Sequence, residues 1–349
     1  MTNQMAKTQF MKYLTLLLSF IWTMNGVIPP FAYSADKKLK FLYVPGEKSA
    51  FYVAIAEGIR KKGIELGITT IVTPYPQSWD PHEQIKIVEE AVDKHQPNLM
   101  IIATSPKTGI LDSLPKIREP EISVITIEQF MGSIHPPEHV SKQLSFTHVS
   151  SDNRSGGKAL AIRLANLIAG KGKVYINSTF PDVKSISQRF KAFLQALRAY
   201  PNISIAGIDI AGIDFSNKAG GGVGSSMELQ NNARKQTIEM LQRHPDINAI
   251  YCPVSISAIG VINALNDTGL SGSIKVVTWG ATLTISQAMD DGIIDIALSP
   301  QPEIIGKTAV FLGHQHLVFG ERIPSRTLIP FIVLDRETLS VPKSEQSIY

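Results

Sequence analysis

The chain is predicted to fold as an α/β protein of two doubly wound parallel-sheet lobes. Three observations carry this. From residue 40 onward, short apolar runs alternate with amphipathic stretches. The alternation proceeds once to about residue 127 and begins again near residue 173. The runs are apolar on both faces, as strands covered by helices on either side must be. A chain of 349 residues has room for two ordinary domains. A closed (β/α)8 barrel is the main rival, but it needs eight strands in one ring, whereas about ten are counted here.

The elements follow in order. "KFLYV" (40–44), "ITTIV" (68–72), "LMIIA" (99–103) and "ISVITI" (122–127) read as buried strands. Between them, Phe51, Ile55, Ile59 and Ile64 are expected on one side of a first helix, and Ile85, Val88 and Val92 on one side of a second. The second unit has strands at "KVYIN" (173–177), "ISIAGIDI" (203–210), "NAIYC" (248–252), "IKVVT" (274–278) and "IDIAL" (294–298). Helical patterns fill 155–169, 185–199, 228–243, 256–267 and 283–291, with Ser185 and Ser226 as expected caps. Segments near Val149 and Ser299 are expected to pass between the lobes.

Composition narrows the function. The hydrophobic share of 44% and charged share of 18% are those of a globular protein. A net charge of +4 without a Lys/Arg block gives no footprint for nucleic acid. The first 34 residues read as a cleaved signal peptide: Lys7 and Lys12, then "YLTLLLSFIW", then Ala32-x-Ser34 in "FAYSADKK". Asn25, Gly26 and Pro29-Pro30 interrupt the apolar stretch too early for a membrane anchor. The only cysteine, Cys252 in "NAIYCPV", excludes an internal disulfide and a Cys-rich metal site. Cys252 reads as a buried strand residue rather than a nucleophile. A soluble periplasmic protein is expected.

In open parallel sheets, ligands bind beyond the carboxyl ends of the strands. The residues there are Ser49 to Tyr52, Thr104-Ser105, Glu128-Gln129, Ser178 to Arg189, Asp214-Phe215, Ser255 and Trp279. Hydrogen-bonding groups interleaved with aromatics suit a small polar ligand with apolar faces, such as a sugar or polyol. Phe51 could be core or platform, and so could Tyr52, since helix neighbours diverge by about 100°. "NKAGGGVGSS" (217–226) lacks the context of a phosphate-binding loop. His314 and His316 would face different ways on a helix, so no metal and no cofactor is expected. No "GxSxG" or "HExxH" occurs, and an exported hydrolytic enzyme is the disfavoured alternative.

From about Lys38 to Leu339 the sequence resembles the type I periplasmic solute-binding proteins, the ribose-binding-protein-like group. The resemblance rests on "SAFYVAIAEGI", "VITIEQF", "HVSSDNRSGGKALA", "SQRFKAFLQAL", "AIYCPVSISAIGVINAL", "VVTWGATLTISQAMDDGIIDIAL" and "PQPEIIGKTAV" in that order. It implies three strand crossings at a hinge. It also implies an amino-terminal lobe of 35–150 plus 300–328, a second lobe of 151–299 plus 329–342, and a tail of 343–349. By position, Phe51 and Tyr52 match an aromatic pair that stacks on a sugar ring, and Ser49 stands where an Asn commonly binds a hydroxyl. Arg189 matches an arginine that donates to ligand oxygens. Ser151 and Asn153 match polar residues near a crossing, and Phe215 lies near a stacking aromatic.

The departures are informative. Simple aldose binders present Asp-Arg where this chain has Glu128-Gln129, and Asn-Asp at Val254-Ser255. They have an Asp at Trp279 and a Gln at Pro300, here followed by Gln301. Losing carboxylates removes charge-assisted bonds to neighbouring hydroxyls. Trp279-Gly280 and Ser255 with Arg189 are similar to binding proteins that partner sensor kinases, of the autoinducer-2 or trimethylamine oxide type. The expected partner is therefore an ABC permease or a membrane histidine kinase, with the mature protein monomeric when alone.

Overall fold

The computed structural model describes residues 38–76, 81–104, 122–128, 146–179, 183–210 and 226–339. The signal segment, Ser105, Gln129, Asp214, Phe215 and the 217–226 loop up to residue 225 lie outside them. Two six-stranded sheets are present. The first holds β1 (Lys40–Val44), β2 (Thr69–Val72), β3 (Leu99–Ile102), β4 (Ser123–Ile127), β5 (Phe146–Ser151) and β11 (Arg326–Ile329), in the order β11-β5-β4-β3-β1-β2. Every pairing in it is parallel. The second holds β6 (Lys171–Ser178), β7 (Asn202–Ile210), β8 (Ala249–Cys252), β9 (Lys275–Trp279), β10 (Ile296–Ser299) and β12 (Ile332–Leu334), in the order β12-β10-β9-β8-β6-β7. Ignoring the last strand of each, both sheets have the doubly wound order 2-1-3-4-5.

β12 departs from the parallel rule and pairs antiparallel with β10. The carboxyl ends of both sheets face one cleft. A strand that arrives directly from the end of β11, after only Pro330 and Phe331, must run away from that cleft. The chain passes between the sheets at 151–153, 299–302 and 329–332. These crossings are tied together: Asp152 N donates to Ile329 O at 2.9 Å, and Gln301 Nε2 donates to Pro330 O at 2.9 Å.

The helices are α1 (Ala50–Glu65), α2 (Pro81–His95), α3 (Asn153–Leu167), α4 (Lys184–Leu197), α5 (Ser226–Arg243), α6 (Ser255–Thr268), α7 (Leu283–Asp290), α8 (Pro302–Phe319) and α9 (Arg336–Leu339). Alternate residues of each strand feed opposite cores. Tyr175, Ile250 and Val276 pack on one face of the second sheet, and Val174, Ile176 and Val277 on the other. Phe41, Tyr43 and Ile101 divide from Leu42, Val44 and Ile102 in the same way. α8 follows the second sheet yet returns to the first, where it packs on α1. A Cβ on Gly58 would overlap the Glu303 carbonyl, and one on Gly306 the Ile55 carbonyl. Only glycine at both positions lets the helices approach this closely.

Several expectations need correction. The buried stripe of α1 is Tyr52, Ile55 and Ile59, whereas Phe51 is half-buried and Ile64 is 66% exposed. Ser185 lies inside α4, whose N-cap is Val183. Ser226 is the first residue of α5. β5, β11, β12 and α8 fall outside the apolar runs. The sequence of β5, "FTHVSS", is largely polar. The buried face of α8 is carried partly by Gly306, Ala309 and Gly313.

His148 on β5 is 8% exposed, and its Nδ1 lies 3.0 Å from the Thr126 hydroxyl. Burial, then the charges of Arg326 and Lys184, pushes its pKa down to about 4. The unfolded chain therefore binds one more proton between about pH 6.5 and pH 4. The stability this neutral ring contributes is fully present above pH 6.5 and is lost as pH falls through 4, by up to about 3 kcal/mol. Urea midpoints at pH 7 and pH 4.5 are expected to differ less in His148→Gln than in the wild type.

Candidate functional site

A cavity of about 390 Å³ opens where the carboxyl ends of the two sheets face one another. The first lobe supplies Glu47, Lys48 and Ser49 from the β1–α1 turn, Ala50, Phe51 and Tyr52 from the first turn of α1, and Glu128 just after β4. From the second come Val183, Ser185, Ile186 and Arg189 at the start of α4, with Val254, Ser255, Ile256 and Ile259 at the start of α6. Gln230, Trp279, Thr282 and Pro300 complete the lining.

Each lobe contributes a buried charge held by its neighbours. Arg189 is 7% exposed. Its Nε donates to Asn153 Oδ1 at 2.6 Å, its Nη1 donates to Pro253 O at 3.2 Å, and its guanidinium lies 4.1 Å from the Trp279 ring centroid. A cation over an indole is attracted by the ring quadrupole. Glycines make this assembly possible: a Cβ on Gly156 would overlap the Trp279 ring, and one on Gly157 the Arg189 carbonyl. Across the cleft, Glu128 is 6% exposed, and its Oε1 accepts from Ser151 N at 2.5 Å and Ser151 Oγ at 2.7 Å. Its φ of 49° is left-handed, a conformation that costs a non-glycine residue about 1 kcal/mol or more.

The aromatics set the walls. Phe51 and Tyr52 meet edge to face, with centroids 5.3 Å apart at 86°. Burial, and next the Glu47 carboxylate, raises the Tyr52 hydroxyl well above its usual range, so it is a neutral donor. Trp279 is 2% exposed and meets Phe331 of the third crossing at 5.9 Å and 59°, which links the site to the hinge. Gly280 follows with φ of 106° and turns the backbone away from β9. Ser49 is the N-cap of α1 but makes no side-chain cap bond.

The structure thus gathers Ser49, Phe51, Tyr52, Glu128, Arg189, Ser255 and Trp279 around one cavity. Ser151 and Asn153 stand behind it, holding Glu128 and Arg189. Gln301 joins two crossings, and its neighbour Pro300 lines the cavity instead. Gln129 and Phe215 fall outside the described residues. Sequence reasoning missed Glu47, Lys48, Gln230, Ile256, Ile259 and Thr282. Val254 departs from the polar residue of the aldose binders, and an apolar residue after a strand reads as core. Cys252 is fully buried on β8, and burial pushes its thiol up to about 12. Among the described residues, no group of three or more His, Cys, Asp or Glu could hold a metal ion.

A family model described as periplasmic binding protein domain matches residues 41–322. The ribose import binding protein of Escherichia coli (strain K12) is 23% identical over 285 residues, covering 82% of this chain and 86% of that one. A D-ribose/D-allose-binding protein of Pseudomonas aeruginosa is 24% identical over 235 residues, covering 66% of each. Among solved structures, an ABC transporter solute-binding protein from Agrobacterium vitis bound with alpha-D-tagatopyranose superposes with a TM-score of 0.76. It is 25% identical, and the match covers 89% of this chain and 99% of that one.

Proposed function

The chain belongs to the type I periplasmic binding protein family, and from that membership we propose that it is an exported solute-binding protein. It captures a small sugar-like or polyol-like ligand between its lobes and presents it to an ABC permease. The observation that carries this reading is a cavity with an aromatic and a held charge from each side: Tyr52 and Glu128 against Trp279 and Arg189. The half-buried Phe51 ring stacks on an apolar face of a sugar ring, Tyr52 and the edge of Trp279 close its flanks, and Arg189, Glu128 and Ser49 bind its oxygens. Such a site needs no acid–base pair, and binding rather than catalysis is its role. The permease is the proposed partner because two of the relatives named above, the Escherichia coli and Agrobacterium vitis proteins, are import or transport proteins by name. Nothing in those relatives supports the kinase-partner alternative.

The lobes in this reading are 35–150 with 300–328, and 151–299 with 329–342, behind a signal peptide removed on export to the periplasm. Open and closed forms interconvert about the three crossings. A ligand that touches both lobes favours the closed form through its differential affinity. A thermal-shift screen of residues 35–349 against pentoses, hexoses, polyols and small amine oxides tests the proposal. At least one carbohydrate is expected to raise the melting temperature by mass action, with calorimetry confirming one site. A shift with amine oxides alone would defeat the carbohydrate reading.

A further inference from the structure

Two helices of the second lobe begin on valine. Val183 is the N-cap of α4 (φ −74°, ψ 113°), Val254 that of α6 (φ −148°, ψ 150°), and neither caps its helix through the side chain. Asp, Asn, Ser and Thr are strongly preferred at such positions, and valine is among the poorest choices. The preference is kept elsewhere in the lobe: Asp152 accepts from Ser155 N at 3.1 Å, and Thr282 from Ile285 N at 3.4 Å. A local rule broken twice at one place marks residues retained for another purpose.

The two valines converge. With Ile186, Leu229 and Ile256 they form an apolar cluster separate from the four that cover the sheets. Four of its five members line the cavity: Val183, Ile186, Val254 and Ile256. Val254 and Ile256 are only part-buried, so the cluster presents an apolar wall to whatever fills the space. The two lining carboxylates, Glu47 and Glu128, stand on the other lobe.

We infer that the ligand is a deoxysugar, a carbohydrate whose hydroxyls meet Ser49, Glu128 and Arg189 and whose methyl or methylene carbon meets Val183, Val254 and Ile256. The inference rests on the carbohydrate reading above and narrows it. A hydroxyl pressed on the Val183, Val254 and Ile256 side chains would lose its water and gain no partner from them, and only the Ser185 and Ser255 hydroxyls stand beside them. A methyl group there gives up no hydrogen bond and buries apolar area on both sides.

Calorimetry with D-galactose, D-glucose and L-mannose against their 6-deoxy counterparts, alongside D-ribose and D-arabinose, tests this. At least one deoxysugar is expected to bind about tenfold or more tighter than its parent hexose and than either pentose. Val254→Asp supplies the preferred cap, so it is expected to melt at or above the wild-type temperature while losing most of that preference. A fully hydroxylated sugar that binds as tightly as every deoxysugar overturns the inference and leaves the carbohydrate reading standing. An unchanged preference in a folded Val254→Asp also overturns it. Binding by none of these sugars overturns the inference, and extending that failure to every carbohydrate of the thermal-shift screen overturns the reading beneath it.

Discussion

Arg189→Ala is expected to weaken ligand binding about 10- to 150-fold, because a charge-assisted hydrogen bond contributes about 1.5–3 kcal/mol. Its effect goes beyond one lost donor. The guanidinium holds Asn153 Oδ1 and Pro253 O and covers the Trp279 ring, so truncation strips two buried acceptors of a donor and leaves the indole unsupported. Stability should fall as well, by about 2 kcal/mol. Arg189→Lys is expected to recover little of either quantity. A lysine cannot donate from a planar fork to both acceptors while lying flat on an aromatic face. Calorimetry against the best carbohydrate and urea unfolding of all three proteins would check both effects. Full recovery in Arg189→Lys would reduce the residue to a point charge.

The second large effect is expected from a single methyl group. Gly157→Ala places a Cβ against the Arg189 carbonyl, a contact between backbones that no side-chain rotation relieves. α3 and α4 must separate, at a cost of about 3 kcal/mol, the upper end of ordinary overpacking. Because α4 carries Arg189, the same change should displace the guanidinium from Trp279 and weaken binding about tenfold or more. Its neighbour gives a contrast. Gly156→Ala meets the Trp279 ring, a side chain, and its main expected result is a changed indole environment. Urea midpoints separate the pair. Equal destabilisation by the two would contradict the distinction between a backbone and a side-chain contact.

Much of the architecture was legible because parallel strands covered on both faces are apolar throughout. "KFLYV", "LMII" and "AIYC" are buried along all or nearly all of their length. What escaped was made of polar or small residues. β5 is polar because it ends at a crossing and carries Ser151 to Glu128. α8 divides its inner face between Ile305 and Val310 and the small residues Gly306, Ala309 and Gly313, which interrupt the hydrophobic stripe. Direction escaped too: nothing in "IVL" tells that β12 must run antiparallel, since that follows from the meeting of two sheets at one cleft.

The site was legible in part. Residues placed after strands led to Phe51, Tyr52, Arg189, Ser255 and Trp279, all of which line one cavity. Depth was not readable. Ser151 and Asn153 have the chemistry of ligand-binding residues but hold other side chains, a difference of a few ångströms that spacing does not encode. Val254 reads as a departure from an amide that relatives carry, and Val183 as one residue of the segment from Ser178 to Arg189. Only their burial and cap geometry reveal a wall.

The central claim is that a carbohydrate is held between the lobes against Trp279. The chain has three tryptophans, at 22, 79 and 279, and the first precedes residue 35. Trp79→Phe in residues 35–349 therefore leaves Trp279 as the single indole. Titrating its fluorescence with the carbohydrates of the screen is the most direct test. A saturable change is expected, with a midpoint equal to the calorimetric dissociation constant and weakened in parallel by Arg189→Ala. A carbohydrate that binds by calorimetry yet leaves Trp279 emission unchanged, or an absence of binding by all of them, would contradict it.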